Sequence, residues 1–305
     1  MKFEVTILGS SSATPIFNRN PTAQVLNINE KLYLVDCAEG TQQQMLRFDV
    51  KSSRIDYIFI SHLHGDHYLG LVGLLSSLHL NGRKKLLQVF GPPALKEIVE
   101  LQLKYSETTL HYPLEFIFTS ADAPQVILDN QDITVETIPL DHRIPCTGFL
   151  FKQKKRLRKI IKDRIEELEI PVQYFTALKK GKDYEAADGT VYKNDTLTID
   201  SDEPKSYAYC SDTLYNPKYF QQIEGASLLY HEATFLNDML DRANQTHHTT
   251  ALQAAEIAVI TKAQKLIIGH FSARYKTLNE LLDEAQSVFA NTELAVEGKT
   301  FVISV

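Results

Sequence analysis

From Ser61 the chain reads Ser-His-Leu-His-Gly-Asp-His, which puts His62, His64, Asp66 and His67 within six residues directly after the β-rich run at 57–60. Neutral imidazole nitrogens and a carboxylate are the ligands that a borderline divalent cation such as zinc accepts. If the backbone stays extended from His62 to His64, both rings point the same way. Asp66 and His67, past the flexible Gly65, can then turn toward a neighbouring point, so one loop could serve two ions. The plainer alternative is a histidine-rich surface loop or a pair of satisfied core histidines.

Three further residues share the context of this loop. His142 stands in Leu140-Asp141-His142-Arg143, Asp212 in Tyr209-Cys210-Ser211-Asp212, and His270 in Ile267-Ile268-Gly269-His270. Taken singly, a histidine is more often a hydrogen-bonded surface or core residue, and an aspartate after a strand is often a helix cap. Each of the three follows an apolar β-run, as His62 does, so the four positions can converge on one sheet edge where α/β folds expose functional side chains.

The elements that must position these residues follow from the patterning. Residues 3–8 alternate as an opening strand, 23–28 and 32–36 form a strand pair around a turn, and 57–60 is the strand before the histidine loop. Residues 41–48 have helical composition. From 67 to 80, Leu71, Leu74, Leu75 and Leu78 recur at helical spacing, which predicts a single helix starting at the loop. A strand at 87–90, a helix at 94–105, strands at 114–119, 125–128 and 133–139, and a later helix at 250–261 complete the frame.

With 305 residues and 44% hydrophobic content, the chain can bury a large core as one big α/β domain or as two. The formal net charge of -6 does not advertise a nucleic-acid binder overall, although a local basic patch could still be one. Such a patch exists: Lys152, Lys154, Lys155, Arg156, Arg158, Lys159, Lys162 and Arg164 crowd one stretch, and Lys179, Lys180 and Lys182 follow. Residues 156–168 read as helix, and 151–206 reads as an inserted arm that interrupts the strand-to-ligand rhythm. A charge run is commonly only a solvated face, but this one could neutralise several phosphates. Cys37, Cys146 and Cys210 form no paired framework, which fits a reduced cytoplasmic setting. The N-terminus reads as a strand and not a signal peptide, and no apolar run approaches the ~18 residues needed to span a bilayer, so no membrane association is expected.

His62-x-His64-x-Asp66-His67, followed by His142, Asp212 and His270 at strand ends, resembles the metallo-β-lactamase superfamily. Within it, His231-Glu232-Ala233-Thr234, His248-Thr249-Thr250 with Gln253-Ala254-Ala255, and His270-Phe271-Ser272-Ala273-Arg274-Tyr275 resemble the ribonuclease Z family, which processes tRNA 3′ ends. The resemblance implies an α/β fold, a four-layer αβ/βα sandwich, in which 1–150 and 207–305 form the catalytic domain and 151–206 a flexible arm that grips tRNA.

It also implies two divalent ions per subunit, zinc foremost: one held by His62, His64 and His142, the other by Asp66, His67 and His270, with Asp212 bridging both. Two cations about 3.5–4 Å apart can share a carboxylate and a hydroxide and stabilise charge on a phosphodiester. The implied reaction is hydroxide attack on phosphorus, with Asp66 orienting the nucleophile or taking its proton. His248 acts as general acid to the departing O3′, and Glu232 fixes its tautomer. His231 reads as a supporting or structural residue, and His247 as a cap near solvent.

Ser272 and Arg274 could hold a phosphate, Arg274 through its bidentate fork, or Arg274 could make a surface salt bridge. Thr249 could cap a helix or touch the scissile phosphate. On the family pattern Arg19 and Asn20 belong to a substrate loop, and Lys179 and Lys180 lie on the arm. Family members work as homodimers on precursor tRNA. Two departures stand out: Phe17 occupies a position where the family usually has lysine, and 170–175 lacks the glycine of the family's Gly-Pro-rich arm segment. Two alternatives remain, a superfamily hydrolase acting on small phosphodiesters, thioesters or lactones, and a non-catalytic RNA-binding subunit.

Overall fold

Alternation gives each long strand two faces, and in this protein both faces are apolar. The computed structural model describes residues 2–16 and 18–304, so Phe17 lies outside the described residues. In chain order the strands are β1 (Phe3–Gly9), β2 (Ala23–Ile28), β3 (Lys31–Val35), β4 (Ile55–Phe59), β5 (Leu87–Gly91), β6 (Leu114–Phe118), β7 (Val126–Asp129), β8 (Ile133–Leu140) and β9 (Cys146–Gln153). Four two-residue strands follow, β10 (Lys159–Ile160), β11 (Tyr184–Glu185), β12 (Val191–Tyr192) and β13 (Thr198–Ile199). The last five are β14 (Ser206–Cys210), β15 (Leu228–Glu232), β16 (Leu266–Gly269), β17 (Thr292–Leu294) and β18 (Thr300–Val302).

Among the described residues two seven-stranded sheets form, in the orders β18-β1-β2-β3-β4-β5-β6 and β17-β16-β15-β14-β9-β8-β7. Their inner faces meet through Phe59, Phe90, Phe149, Phe151, Tyr207 and Tyr209, with Phe59 stacked on Phe90 at 4.6 Å and edge-on to Phe149 at 5.3 Å. Each such buried ring stabilises the fold by about 1.5–3 kcal/mol. The opposite face of the first sheet, through Ile58 and Ile60, packs on Leu71, Leu74, Leu75 and Leu78. That of the second sheet, through Ala208 and Cys210, packs on Ala251, Ala254, Ala255 and Ala258. The result is helix, sheet, sheet, helix: the four-layer metallo-β-lactamase fold.

Strand direction decides where functional residues can gather. β3, β4, β5 and β6 run parallel, as do β14, β15, β16 and β17. β9 runs antiparallel to β14, and β8 lies beside β9 across the short connection at 141–145. The carboxyl ends of β8, β14, β15 and β16 therefore open on one edge, where α/β sheets bind their ligands.

The single helix expected over 67–80 is instead two, Gly65–Tyr68 and Leu71–Leu80. The break comes from packing: Gly70 runs so close to the backbone after β3 that a β-carbon there would collide with the Ala38 carbonyl. Gly70 N–H donates to Cys37 O at 2.9 Å, and Cys37 N–H to His67 O at 2.7 Å. The short first helix is thus pinned separately from the second.

Residues Gln153–Pro204 form a second compact unit. Its edges lie inside the expected 151–206, because Phe151 is a fully buried strand residue and Ser206 pairs in register with Lys152. The unit has a small core of its own, Ile165, Ile170, Leu178 and Leu197. The helix expected over 156–168 is replaced by β10, paired antiparallel with β13, and a six-residue helix, Lys162–Glu167. Ile160 and Ile165 both pack into that small core, and the pairing of β10 with Thr198–Ile199, distant in sequence, overrides local helical preference. Among the described residues no helix is long and apolar enough to cross a membrane.

Candidate metal centre

β4 ends at Phe59, and the loop after it is fixed from beneath by a residue that the sequence reading missed. Asp36, fully buried just past β3, accepts the Ser61 amide at 2.8 Å, the Ser61 hydroxyl at 2.9 Å and the Tyr209 hydroxyl at 2.6 Å. It also lies 2.8 Å from His67 Nδ1. Asp36 adopts a left-handed backbone (φ 55°), as does His270 (φ 59°), and both turn sharply out of an apolar strand. The signal was the one used elsewhere, an acid directly after a β-run.

The edge brings all seven expected ligands together. His64 Nδ1 lies 3.1 Å from His62 Nε2 and 3.2 Å from His142 Nε2, and Asp212 Oδ2 lies 3.7 and 3.8 Å from those two Nε2 atoms. The other oxygen, Asp212 Oδ1, is 3.4 Å from His67 Nε2 and 3.2 Å from His270 Nε2. Asp66 Oδ2 in turn lies 3.6 Å from His67 Nε2 and 3.3 Å from His270 Nε2. Two clusters result, His62, His64 and His142 on one side and Asp66, His67 and His270 on the other, with one oxygen of Asp212 facing each.

The remaining ring nitrogens show which atoms are left to bind. His142 Nδ1 donates to His247 O at 2.9 Å, His67 Nδ1 to Asp36, and His62 Nδ1 to Ser61 Oγ at 3.0 Å. His270 Nδ1 donates to Thr234 Oγ1 at 3.0 Å. Anchoring one nitrogen fixes the tautomer and aims the lone pair of the other inward, as ligating histidines require. His67 Nε2 is buried with no hydrogen-bond partner, facing two carboxylates that have no proton to share. A divalent cation fits this donor set and removes the orphan.

Charge supports the same fit. Burial holds His62 well below the usual imidazole range and brings His142 down to about 4, so both rings are neutral, the ligating form. Burial works the same way on His67, but Asp212, Asp66 and Asp36 outweigh it and hold that ring well above its usual value. Burial alone would raise Asp66 and Asp212, yet the neighbouring imidazoles keep both well below the carboxylate range. The pocket favours positive charge.

Beside the clusters, His248 Nδ1 lies 2.8 Å from Glu232 Oε1. Glu232 is itself held by the Thr213 amide at 3.0 Å and by the Thr234 amide and hydroxyl at 3.1 and 2.6 Å. Burial disfavours a charged His248, but the Glu232 carboxylate prevails and raises it to about 9. Thr234, quoted in the motif at 231–234 without a role of its own, touches Glu232 and His270 together.

The other candidates separate. His231 is buried with both nitrogens used, Nε2 by the Tyr219 hydroxyl at 2.8 Å and Nδ1 by Glu232 O at 2.7 Å. Thr249 donates to Thr213 O at 2.6 Å inside the core, while Thr250 forms a capping box with Gln253 at the start of Ala251–Ile260. Arg19 is buried and donates to Ser272 O and Tyr275 O at 3.3 and 2.8 Å, and Asn20 is held by Glu297. Each of these three side chains is hydrogen-bonded within the fold. Arg274 is exposed, lies 5.0 Å over the Phe235 ring and donates to Ser272 Oγ at 3.2 Å. Lys179 and Lys180 are exposed at the end of a short helix in the second unit. A cavity of about 300 Å³ lies over the clusters, lined by Asp66, Asp212, His248, His270 and, unanticipated, Arg143.

A family model described as the Beta-lactamase superfamily domain matches residues 32–271. A ribonuclease Z of Cytophaga hutchinsonii is 48% identical over 305 residues, covering 100% of this chain and 97% of its own. One from Bacteroides fragilis is 46% identical over 297 residues, covering 97% and 98%. The crystal structure of the short form of human tRNase Z matches with a TM-score of 0.71 at 25% identity, covering 99% of this chain and 100% of that one. On fold, site geometry and full-length similarity, the chain belongs to the ribonuclease Z family of the metallo-β-lactamase superfamily.

Proposed function

We propose that the chain is a metal-dependent endoribonuclease that removes 3′ trailers from precursor tRNA, leaving a 3′-hydroxyl on the tRNA and a 5′-phosphate on the trailer. The observation that carries the reading is Asp212, whose two oxygens are divided between two histidine clusters beside the Glu232–His248 pair, in a chain similar end to end to proteins named ribonuclease Z. His62, His64 and His142 would hold one divalent ion, Asp66, His67 and His270 the second, and Asp212 both; zinc suits this mix of imidazole and carboxylate. When bound, the pair supplies a hydroxide nucleophile at neutral pH and neutralises charge on the phosphodiester.

The side chains do the rest. Asp66 Oδ2, fixed by the Ala13 amide at 2.6 Å, orients the attacking water or takes its proton. His248, protonated at neutral pH because Glu232 raises it to about 9, gives a proton to the departing O3′. Glu232, held by three donors, keeps the ring in the tautomer and orientation the transfer needs.

The unit Gln153–Pro204 is the part we assign to gripping the tRNA body. Lys179 and Lys180, exposed and in no ion pair among the described residues, and Arg274 near the metal centre suit sequence-independent phosphate contacts. A homodimer in the reducing cytoplasm, where three buried free cysteines persist, completes the reading. The test is incubation with a 3′-extended precursor tRNA, with and without a chelator, mapping both product ends. The expected result is chelator-sensitive cleavage giving a 3′-hydroxyl tRNA and a 5′-phosphorylated trailer; no cleavage, or a 3′-phosphate on the tRNA, would overturn it.

A further inference from the structure

Beside the cavity over the metal-binding clusters lies a second, larger one of about 1400 Å³ that shares a lining residue with it. Among the described residues, Arg143 alone lines both. The chemistry above uses none of this larger space, although His142 forms part of its inner wall.

Its walls suit single-stranded RNA. Leu63, Ile144, Pro92, Pro93 and Pro124 offer flat apolar surfaces to base faces, and Thr119, Asn216 and Gln221 offer hydrogen-bonding groups to base and sugar edges. Two acids and two cations line this space. Of the acids on the lining, Asp122 accepts from Ser120 Oγ at 2.7 Å, and Asp141 accepts from Asn216 Nδ2 at 3.0 Å with His247 Nδ1 at 3.4 Å. The cations Arg143 and Lys218 form no ion pair among the described residues. Arg143, the residue the two cavities share, therefore has no ion-pair partner among the described residues at the place where the scissile phosphate would lie.

Polarity of the strand then selects which RNA enters. His248 lines the smaller cavity and not the larger, so the nucleoside whose O3′ receives its proton leaves on that side. RNA on the 5′-oxygen side of the same phosphorus must leave another way, and the larger cavity on the other side of Arg143 is the space next to it. In the balanced step the oxygen of water bonds to phosphorus and one of its protons passes to Asp66, the P–O3′ bond breaks, the proton of His248 passes to O3′, and the phosphate stays on the 5′-oxygen of the trailer. We propose that this groove seats the first nucleotides of the trailer, with the guanidinium fork of Arg143 on the trailer's 5′-phosphate. The inference rests on the ribonuclease reading and adds the place where the second product is held.

The test compares kcat/KM for precursor tRNAs carrying trailers of one and of four nucleotides, in the wild-type protein, in Arg143→Ala and in Ala94→Trp. Arg143 is exposed and Ala94 sits exposed on the groove rim, so neither change removes a core contact. The wild-type protein should favour the longer trailer about tenfold, the scale of one or two base contacts. The ratio should fall toward one in both variants, and a 5′-phosphorylated tetranucleotide should inhibit the wild-type protein better than its unphosphorylated form, a difference lost in Arg143→Ala. Cleavage with no dependence on trailer length, or a dependence that both variants keep, would overturn the groove and leave the ribonuclease standing. A wild-type protein that cleaves no precursor at all would overturn the ribonuclease reading, and this inference with it.

Discussion

Asp212 and Lys159 are both charged, and their surroundings have little else in common. Asp212 is 2% exposed, ringed by four imidazoles, each fixed by its own neighbours. Lys159, in the Gln153–Pro204 unit, stands in solvent with Asp202 at 2.9 Å, and Lys162–Glu166 at 3.6 Å and Arg164–Glu167 at 2.5 Å are exposed pairs too. Exposed pairs of this kind contribute little to stability. The contrast separates two tasks. Bond-breaking chemistry needs groups taken out of water and held by a second layer of partners, whereas attachment to a polyanion needs solvated cations that exchange counterions for phosphates.

The largest effect should come from breaking the buried side. Asp212→Ala should lower turnover of precursor tRNA and of a small phosphodiester such as bis(p-nitrophenyl) phosphate by at least about 10³-fold. It should also leave fewer than two metal ions per chain by elemental analysis; a variant that keeps two ions and its activity would remove the shared carboxylate from the account.

Excising Gln153–Pro204 tests the other side. Lys152 and Ser206 are register partners on adjacent strands, so a short Gly-Ser turn can join them. The shortened chain should lose precursor cleavage while still hydrolysing the small diester, and loss of both in a folded, metal-loaded protein would erase the division of tasks. His248→Ala should then sharpen the buried side, with kcat on precursor tRNA lower by about 10²–10⁴-fold and metal content unchanged. An unaltered rate would dismiss His248 as the acid. The smallest effect belongs to the solvated cations: replacing Lys179 and Lys180 together with alanine should make the plot of log Kobs against log salt shallower by about two for precursor binding. A slope that does not move would take both lysines off the phosphates.

What the sequence reveals follows the same division. His62, His142, Asp212 and His270 were readable because each ends an apolar strand, and parallel strands must open on one edge. Asp36 obeyed the same rule and was passed over, since its partners Ser61, His67 and Tyr209 come from two other parts of the chain. The partners of Arg19 and Asn20, Ser272, Tyr275 and Glu297, are not announced by anything local in the sequence. In the inserted unit the basic run read as one feature, but Arg158 pairs with Asp200 and Lys159 with Asp202 across some forty positions. Local periodicity could not foresee that β10 would take Ile160 out of a helix.

The left-handed corners at Asp36 and His270 have a consequence for how this protein can change over time. Backbones of that kind in residues other than glycine are tolerated at a penalty of order 1 kcal/mol or more, and persist where the surroundings dictate them. Here the surroundings are the reactive groups themselves, so selection for catalysis is what maintains both bends. A descendant released from that selection would find glycine easier at either corner, and the loss of those two side chains would be an early mark of a lineage that kept the scaffold and gave up the reaction.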